Sequence, residues 1–291
     1  MNKMTKTFLL LSALSLSILP TGTSHAQKIQ GTLATILDTK TIKLGYLDQS
    51  IPFSFVDDRA KPLGYSVELC LRVVAGLEQQ FGLPKLDVKW VPITLANRFD
   101  MIANGSIDLE CGISTITVSR QKLVDFSLMT WVDGGSFIVK ANRPHGGLGD
   151  LAGKKIAVIA GTTTESALRE ALKKDFINAD LTLVKEHLEG LNALDKGQVD
   201  AYAADQTVLM GLALAVRETL AVNFSDRNFS YEPYGLTMRR NDADFKQAVN
   251  QALARLYRTG QVAAIYDRWF GKLGKPSTLL AAMFAINALP E

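Results

Sequence analysis

The sequence predicts an α/β fold in two lobes, each a mostly parallel sheet flanked by helices. Three observations lead there. Short β-branched runs alternate with helical stretches from residue 41 onward, the pattern of sheets covered by helices. A chain of 291 residues exceeds the usual domain of roughly 100–150 residues and calls for two cores. One pattern also occurs twice, a helix, a glycine stop and a strand bearing an acid, at 97–110 and again at 192–205.

The chain opens on what reads as a secretory leader, 1–26. Lys3 and Lys6 precede an apolar run over 8–19, and Ser24 and Ala26 supply the small residues a peptidase needs. That run is too short for a bilayer core of about 30 Å, which takes roughly 20 apolar residues, and no cysteine follows it to carry a lipid. A soluble mature protein in the periplasm is the expectation. Loss of Lys3 and Lys6 takes 32 basic residues to 30 against 29 acidic, a net charge of +1 that suggests neither nucleic acid nor a strongly anionic surface.

The first unit begins with a strand at 41–46 and a turn and strand at 51–55. Gly64-Tyr65-Ser66-Val67-Glu68 then opens a helix reaching about residue 80. A strand at 89–93, a short helix at 97–102 stopped by Asn104-Gly105, and a strand at 107–111 follow. Strand ends and loops thus gather on one edge, where open α/β sheets place ligands. Cys70 and Cys111 would meet an oxidising compartment and are a candidate disulfide. The other reading is two small buried hydrophobes, one on a helix and one in a strand. No His/Cys spacing suggests a metal, and no cofactor is expected.

Between Glu110 and Phe126 the chain places small hydroxyl residues and backbone amides around Arg120. A guanidinium offers two parallel N–H donors to a carboxylate, and neighbouring amides and hydroxyls serve its other lone pairs. Arg120 is therefore a candidate carboxylate ligand, although a surface arginine near a helix start would look the same.

A second unit starts after Arg143-Pro144-His145-Gly146-Gly147, of linker character. A strand at 154–160 runs into Gly161-Thr162-Thr163-Thr164-Glu165, a glycine turn at the mouth of a helix. Free N–H groups there make an anion cradle, and N-capping by one threonine is a compatible role. The helix and strand over 192–205 end in Asp205, and an amphipathic helical region over 243–270 closes the fold.

The stretch around Arg120 resembles that by which family 3 solute-binding proteins, periplasmic receptors for polar amino acids, hold a ligand's α-carboxylate. The helix opening at Gly64-Tyr65 followed by Glu68 resembles that family's signature, in which a glycine and an aromatic precede an acidic residue in the first helical turns. The resemblance covers nearly the whole mature chain and is greatest to the glutamate/aspartate-binding branch. It implies a type II periplasmic-binding-protein fold with two crossover strands near 131–136 and 234–237. Lobe 1 would then comprise 27–135 and 235–291, and lobe 2 136–234. It implies that Asp205 takes the α-ammonium, with Thr115, the backbone at Ile113, and Thr162 and Thr163 completing the backbone-group contacts. Arg98 and His187 match positions facing the side-chain carboxylate. Leu47 and Leu95 stand where that branch has an arginine and a serine, which favours an apolar or longer side chain with a polar tip.

The function implied is the receptor of an amino acid ABC importer, binding an acidic amino acid or its amide as a monomer and delivering it to a membrane permease with its ATPase. A cyclic-acid dehydratase on the same fold is the alternative. Against it, no nucleophile–base pair is evident, although Glu186, His187 and Glu189 are close in sequence. A soluble ligand sensor is the third reading.

Overall fold

The computed structural model describes residues 29–143 and 146–290. The leader and two residues of the Gly/Pro-rich linker, Pro144 and His145, lie outside them. The elements are α1 (Gly31–Thr39), β1 (Thr41–Tyr46), β2 (Gln49–Ser50), β3 (Ser54–Val56), β4 (Pro62–Leu63), α2 (Tyr65–Phe81), β5 (Asp87–Pro92), α3 (Arg98–Ala103), β6 (Leu109–Glu110), β7 (Val124–Asp133), β8 (Gly135–Lys140), β9 (Lys155–Ile159), α4 (Thr163–Lys174), β10 (Asp180–Val184), α5 (His187–Asp195), β11 (Ala201–Asp205), α6 (Gln206–Val216), β12 (Val222–Phe224), β13 (Glu232–Arg239), α7 (Ala243–Arg258), α8 (Gln261–Phe270) and α9 (Thr278–Asn287).

Two five-stranded sheets carry the fold, in the orders β5-β1-β6-β13-β7 and β10-β9-β11-β8-β12. In each, four strands run one way and a single strand runs against them, β13 in the first and β8 in the second. The expected mostly parallel sheets are thus present, each with one reversed strand next to its edge. A small antiparallel sheet, β2-β3-β4, sits beside the first. The chain leaves the first sheet after Asp133, enters the second at Gly135 and returns through β13. Glu232 of β13 is the register partner of Asp133, so the two crossings lie side by side.

The helices form where apolar residues recur on one face and stop where the sequence supplies a stop. In α2, Leu69, Val73 and Leu77 are buried, and Gly82 ends it with φ +58°. Gly64 precedes it because a Cβ there would lie 2.2 Å from the Phe53 carbonyl oxygen. The helical region expected over 243–270 divides at Gly260, φ +71°, into α7 and α8. It is not the last: α9 follows, capped by Ser277, whose Oγ accepts the Leu280 N–H at 3.2 Å, and buries Leu280 and Met283.

Near the crossings, Phe53, Tyr65, Trp131, Tyr234 and Phe270 form one aromatic cluster, with Trp131 stacked on Phe270 at 4.3 Å between centroids. Such pairs contribute about 0.5–1.5 kcal/mol beyond their burial, so the strands entering the crossing are held firmly from the first-lobe side. The glycines between β7 and β8 answer to close approach: a Cβ on Gly134 would lie 2.7 Å from the Ser230 carbonyl oxygen on the returning chain.

Cys70 of α2 and Cys111, just after β6, form a disulfide with Cα atoms 6.0 Å apart. The disulfide reading holds, and both half-cystines are also fully buried. The bridge closes a sequence separation of 41 residues, for which restriction of the unfolded chain is worth about 4 kcal/mol. Cys70→Ser with Cys111→Ser should lower unfolding free energy by about 2–4 kcal/mol in urea titrations. A loss below about 1 kcal/mol would refute that role.

Candidate functional site

Arg98 opens α3 and is buried, 3% exposed. Its Nε donates to Ser114 Oγ at 2.8 Å and Nη1 donates to the Leu95 carbonyl. Glu110 answers the charge: its Oε1 lies 3.9 Å from Arg98 Nε and accepts from Ser114 Oγ at 2.9 Å, and its Oε2 accepts from Thr237 Oγ1 at 2.6 Å. Burial lowers the Arg98 pKa to about 10 while Glu110 opposes the shift, so the guanidinium stays charged at neutral pH.

Arg120 starts a 3-10 turn, Arg120–Lys122, with its N–H donating to Thr117 Oγ1 at 3.1 Å. One guanidinium nitrogen donates to the Thr115 carbonyl at 2.9 Å, which aims the half-buried fork. Burial lowers its pKa, and Glu110, Glu232 and Asp205 oppose that. The Arg98 and Arg120 guanidinium carbons lie 4.5 and 5.3 Å from the centroid of Phe99, a ring shared by both cations.

The second lobe presents the N-terminus of α4. Thr162 caps it, accepting the Glu165 N–H at 3.1 Å, while Glu165 Oε2 accepts the Gly161 N–H at 2.7 Å. The Thr162 hydroxyl also donates to the Ile159 carbonyl at 2.8 Å. It is committed to the cap, and what the turn offers a ligand is its first-turn amides, which have no intrahelical acceptor.

Glu232, 2% exposed, has no role that its sequence context suggests. Its Oε2 accepts from Thr115 Oγ1 of the first lobe and Thr163 Oγ1 of the second, each at 2.7 Å, and its Oε1 accepts from Ser230 Oγ at 2.6 Å. A hydroxyl that has given away its one proton presents only lone pairs, so both threonines face the cleft as acceptors. Asp205 ends β11 and accepts from Thr164 Oγ1 at 2.5 Å and from the Tyr234 hydroxyl. Burial and Glu232 raise its pKa; Thr164, Tyr234 and Arg120 pull the other way.

His187 begins α5, buried, with Nδ1 2.7 Å from the Tyr202 hydroxyl and Nε2 without a partner. Burial depresses its pKa to about 4, so the ring is neutral at pH 7. Glu186 and Glu189 do not join it: Glu186 accepts from Gln49 Nε2 at 2.6 Å and Glu189 from the Lys185 N–H at 2.7 Å.

These groups line one cavity between the lobes. Arg98, Leu95, Ile113, Thr115 and Arg120 face Thr162, Thr163, Thr164, His187 and Asp205 across about 390 Å³ of space counted out to its mouth. Leu47 is the exception among the sequence-chosen residues. It is buried in the first-lobe core and lines a neighbouring cavity of about 290 Å³, to which Leu95 and His187 also contribute. Among the described residues, no group of three or more His, Cys, Asp or Glu is placed to hold a metal.

The bacterial extracellular solute-binding proteins, family 3, match residues 42–272. The chain belongs to that family. An L-glutamate/L-aspartate-binding protein of Pseudomonas aeruginosa is 35% identical over 84% of this chain and 82% of its own length. A glutamate/aspartate import solute-binding protein of Escherichia coli is 29% identical over 85% and 82%. Among solved structures, an ancestral arginine-binding protein bound to arginine superposes with a TM-score of 0.72 at 27% identity, over 80% of this chain and 99% of that one. An ancestral amino acid-binding protein described as a precursor of cyclohexadienyl dehydratase superposes with a TM-score of 0.69 at 27% identity, over 83% and 100%. The fold of this family member is thus the two-lobed α/β fold of amino-acid-binding proteins.

The depressed pKa of His187 sets a pH dependence. Above about pH 6.5 the imidazole is neutral both folded and unfolded; below it the unfolded chain takes up a proton that the buried ring refuses until about pH 4. Folding therefore weakens as pH falls through that window. His187→Gln should flatten the decline of Tm between pH 7 and 4.5, and an acid limb parallel to the wild type's would disprove the assignment.

Proposed function

We propose that this family member captures an α-amino acid with an acidic or amide side chain and delivers it to an inner-membrane permease with its ATPase. It would act as a monomer in the periplasm after loss of its leader. The lobes are 27–135 with 235–291, and 136–234. The observation that carries this reading is that a cation and an acid from opposite lobes, Arg120 and Asp205, line one cavity.

An α-amino acid carries a carboxylate and an ammonium on one carbon. Arg120 and the first amides of α4 take the carboxylate. Asp205, the lone pairs of Thr115 and Thr163 and the Ile113 carbonyl take the ammonium. A ligand held from both sides binds the closed arrangement better than the open one, which is what shifts the population toward closure. The names of the Pseudomonas and Escherichia relatives support an acidic ligand. Arg98 and His187 read its side chain, with Leu95 and Leu47 on the apolar side. Because Arg98 already faces Glu110, the side-chain end holds less free positive charge than two basic residues imply, which keeps an amide within range.

Calorimetric titration with the common amino acids tests the reading. Arg120→Ala should lower affinity for every amino acid that binds by at least 100-fold, since it removes charge-assisted bonds worth about 1.5–3 kcal/mol each. Affinity retained within a few-fold would remove Arg120 from the site.

Leu47 decides between acid and amide. If the side-chain end accepts a carboxylate, Leu47→Arg should strengthen glutamate or aspartate binding about tenfold or more. If it is tuned to a neutral group, the new cation is unpaired and weakens the preferred ligand. Tight binding of an apolar amino acid, with glutamate, aspartate and their amides all inert, would overturn the assignment.

A further inference from the structure

Asp133 is a titratable group at the pivot that the ligand reading leaves unused. It ends β7 at the first crossing, where its carboxylate accepts the Gly134 N–H at 2.9 Å and the Thr207 N–H, in the first turn of α6, at 3.2 and 3.3 Å. Its Oδ2 also lies 3.5 Å from the Tyr234 hydroxyl, the same hydroxyl that donates to Asp205 Oδ2. A phenol has one proton. With that proton given to Asp205, and at 3.5 Å, the Tyr234 hydroxyl gives Asp133 no hydrogen bond, so Asp133 Oδ2 stands beside a second acid without that donor.

The surroundings agree. Asp133 faces Asp205, Glu232 and Tyr234, with Tyr202 beside Asp205, Tyr266 across the space behind the pivot, and Arg120 beyond Asp205. Of these only Arg120 is a cation. Burial and the charge of Asp205 hold Asp133 above the ordinary carboxylate range. Asp205 faces the ligand cavity, whereas Asp133 lines a separate, wider space of about 910 Å³ counted out to its mouth on the other side of the pivot, with Trp131, Thr207, Met210 and Leu280. Tyr234 stands between the two acids.

We propose that Asp133 holds a proton in the ligand-free protein and releases it through the rear cavity when an ammonium group docks on Asp205. The inference rests on the amino-acid reading above. The ammonium supplies Asp205 with the N–H donor that frees the Tyr234 O–H to turn toward Asp133. The Asp133 O–H bond then breaks, its electron pair stays on the carboxylate, and the proton passes to water. The new anion is held by Tyr234, by the Gly134 and Thr207 amides, and by the positive end of α6. Asp133 acts through Tyr234 and Asp205 and is a positioning residue that does not itself touch the ligand.

Calorimetry with L-glutamate in phosphate and in Tris at about pH 7 counts protons released, because the two buffers differ in ionisation enthalpy. Wild type should release between about half a proton and one proton per ligand bound, and its affinity should rise between pH 5.5 and 8 by at most about tenfold per pH unit. Asp133→Asn keeps the size, an N–H toward Tyr234 and a carbonyl for the two amides, yet cannot titrate, so release at pH 7 should fall close to zero and the pH slope should shrink. Release of no proton by wild type, or equal release by Asp133→Asn, overturns the proposal. If no amino acid binds, the proposed function fails, and 13C carboxyl titration of the ligand-free protein then tests the held proton by itself. An Asp133 signal still protonated at pH 7 upholds the held proton; titration in the ordinary carboxylate range, near pH 4, overturns it.

Discussion

The pairing of β7 with β13 is the constraint on which the rest depends. The chain passes between sheets twice, and because Asp133 and Glu232 are register partners, both passages occur at one place. Two adjacent strands resist twisting far more than bending, so the motion left to the lobes is a hinge. The aromatic cluster around Trp131 braces the first-lobe side of that hinge, and the close approach of Gly134 to Ser230 fixes the spacing of the two passages. A side chain with any Cβ at 134 would push them apart.

Placing acids at that pivot has an electrostatic consequence. Asp133 and Asp205 flank the Tyr234 hydroxyl, and the successive threonines Thr163 and Thr164 donate to Glu232 and to Asp205. Buried charge of one sign is costly unless donors or a counter-charge answer it. Here hydroxyl protons do most of the answering, since Thr115, Thr163, Thr164, Ser230 and Tyr234 all donate into the acids. The hydroxyls are thereby fixed as acceptors toward the cleft, and a group rich in N–H donors is what the arrangement lacks. The cationic half is built otherwise. Arg98 is tied to Glu110 and Ser114, whereas Arg120 is aimed by one bond to the Thr115 carbonyl and its charge lies across the cavity from the acids.

Much of this is legible in the sequence, for a physical reason. The strand β1 and helices α2 and α4 announce themselves because apolar periodicity and glycine stops are local signals; Asp205 stands out because it ends a strand, and Arg120 because hydroxyl residues gather around it in sequence. Glu232 is not legible as a site residue: an acid in an apolar strand gains meaning only once the strand is placed between two lobes and the two threonines reach it. The same holds for Asp133, which in sequence is part of an Asp-Gly-Gly crossing and in the fold lies across the Tyr234 hydroxyl from an acid 72 residues later. The helices α1 and α9 escape a reading by pattern because they lie at its edges: among the described residues no strand precedes α1 and none follows α9. The disulfide can be posed from sequence but not decided, because a Cα separation of 6.0 Å is a property of the packed helix and strand and not of their spacing along the chain.

Leu47 shows how far a substitution can act without lining the main cavity. Its backbone is locked on both sides by Ser54, which accepts its N–H at 2.9 Å and donates to its carbonyl at 3.2 Å, and its side chain joins the first-lobe core. Leu47 lines only the neighbouring cavity, which shares Leu95 and His187 with the ligand cavity, and its Cδ1 lies so near Gly112 that a Cβ on that glycine would be 3.1 Å away. The Arg98–Glu110 pair is buried, which strengthens their mutual attraction and leaves less of the Arg98 charge for the cavity that Arg98 lines. His187, neutral and with Nε2 unpartnered, remains the polar group with capacity to spare at that end. An imidazole nitrogen can donate or accept according to its tautomer, so what Nε2 offers the cavity is set by which proton Tyr202 shares with Nδ1. If Tyr202 donates its hydroxyl proton to Nδ1, the imidazole hydrogen sits on Nε2 and the ring offers a donor, suited to a carboxylate or an amide oxygen. If Nδ1 keeps the hydrogen and donates to the Tyr202 oxygen, Nε2 offers a lone pair that an amide N–H can meet and a carboxylate cannot.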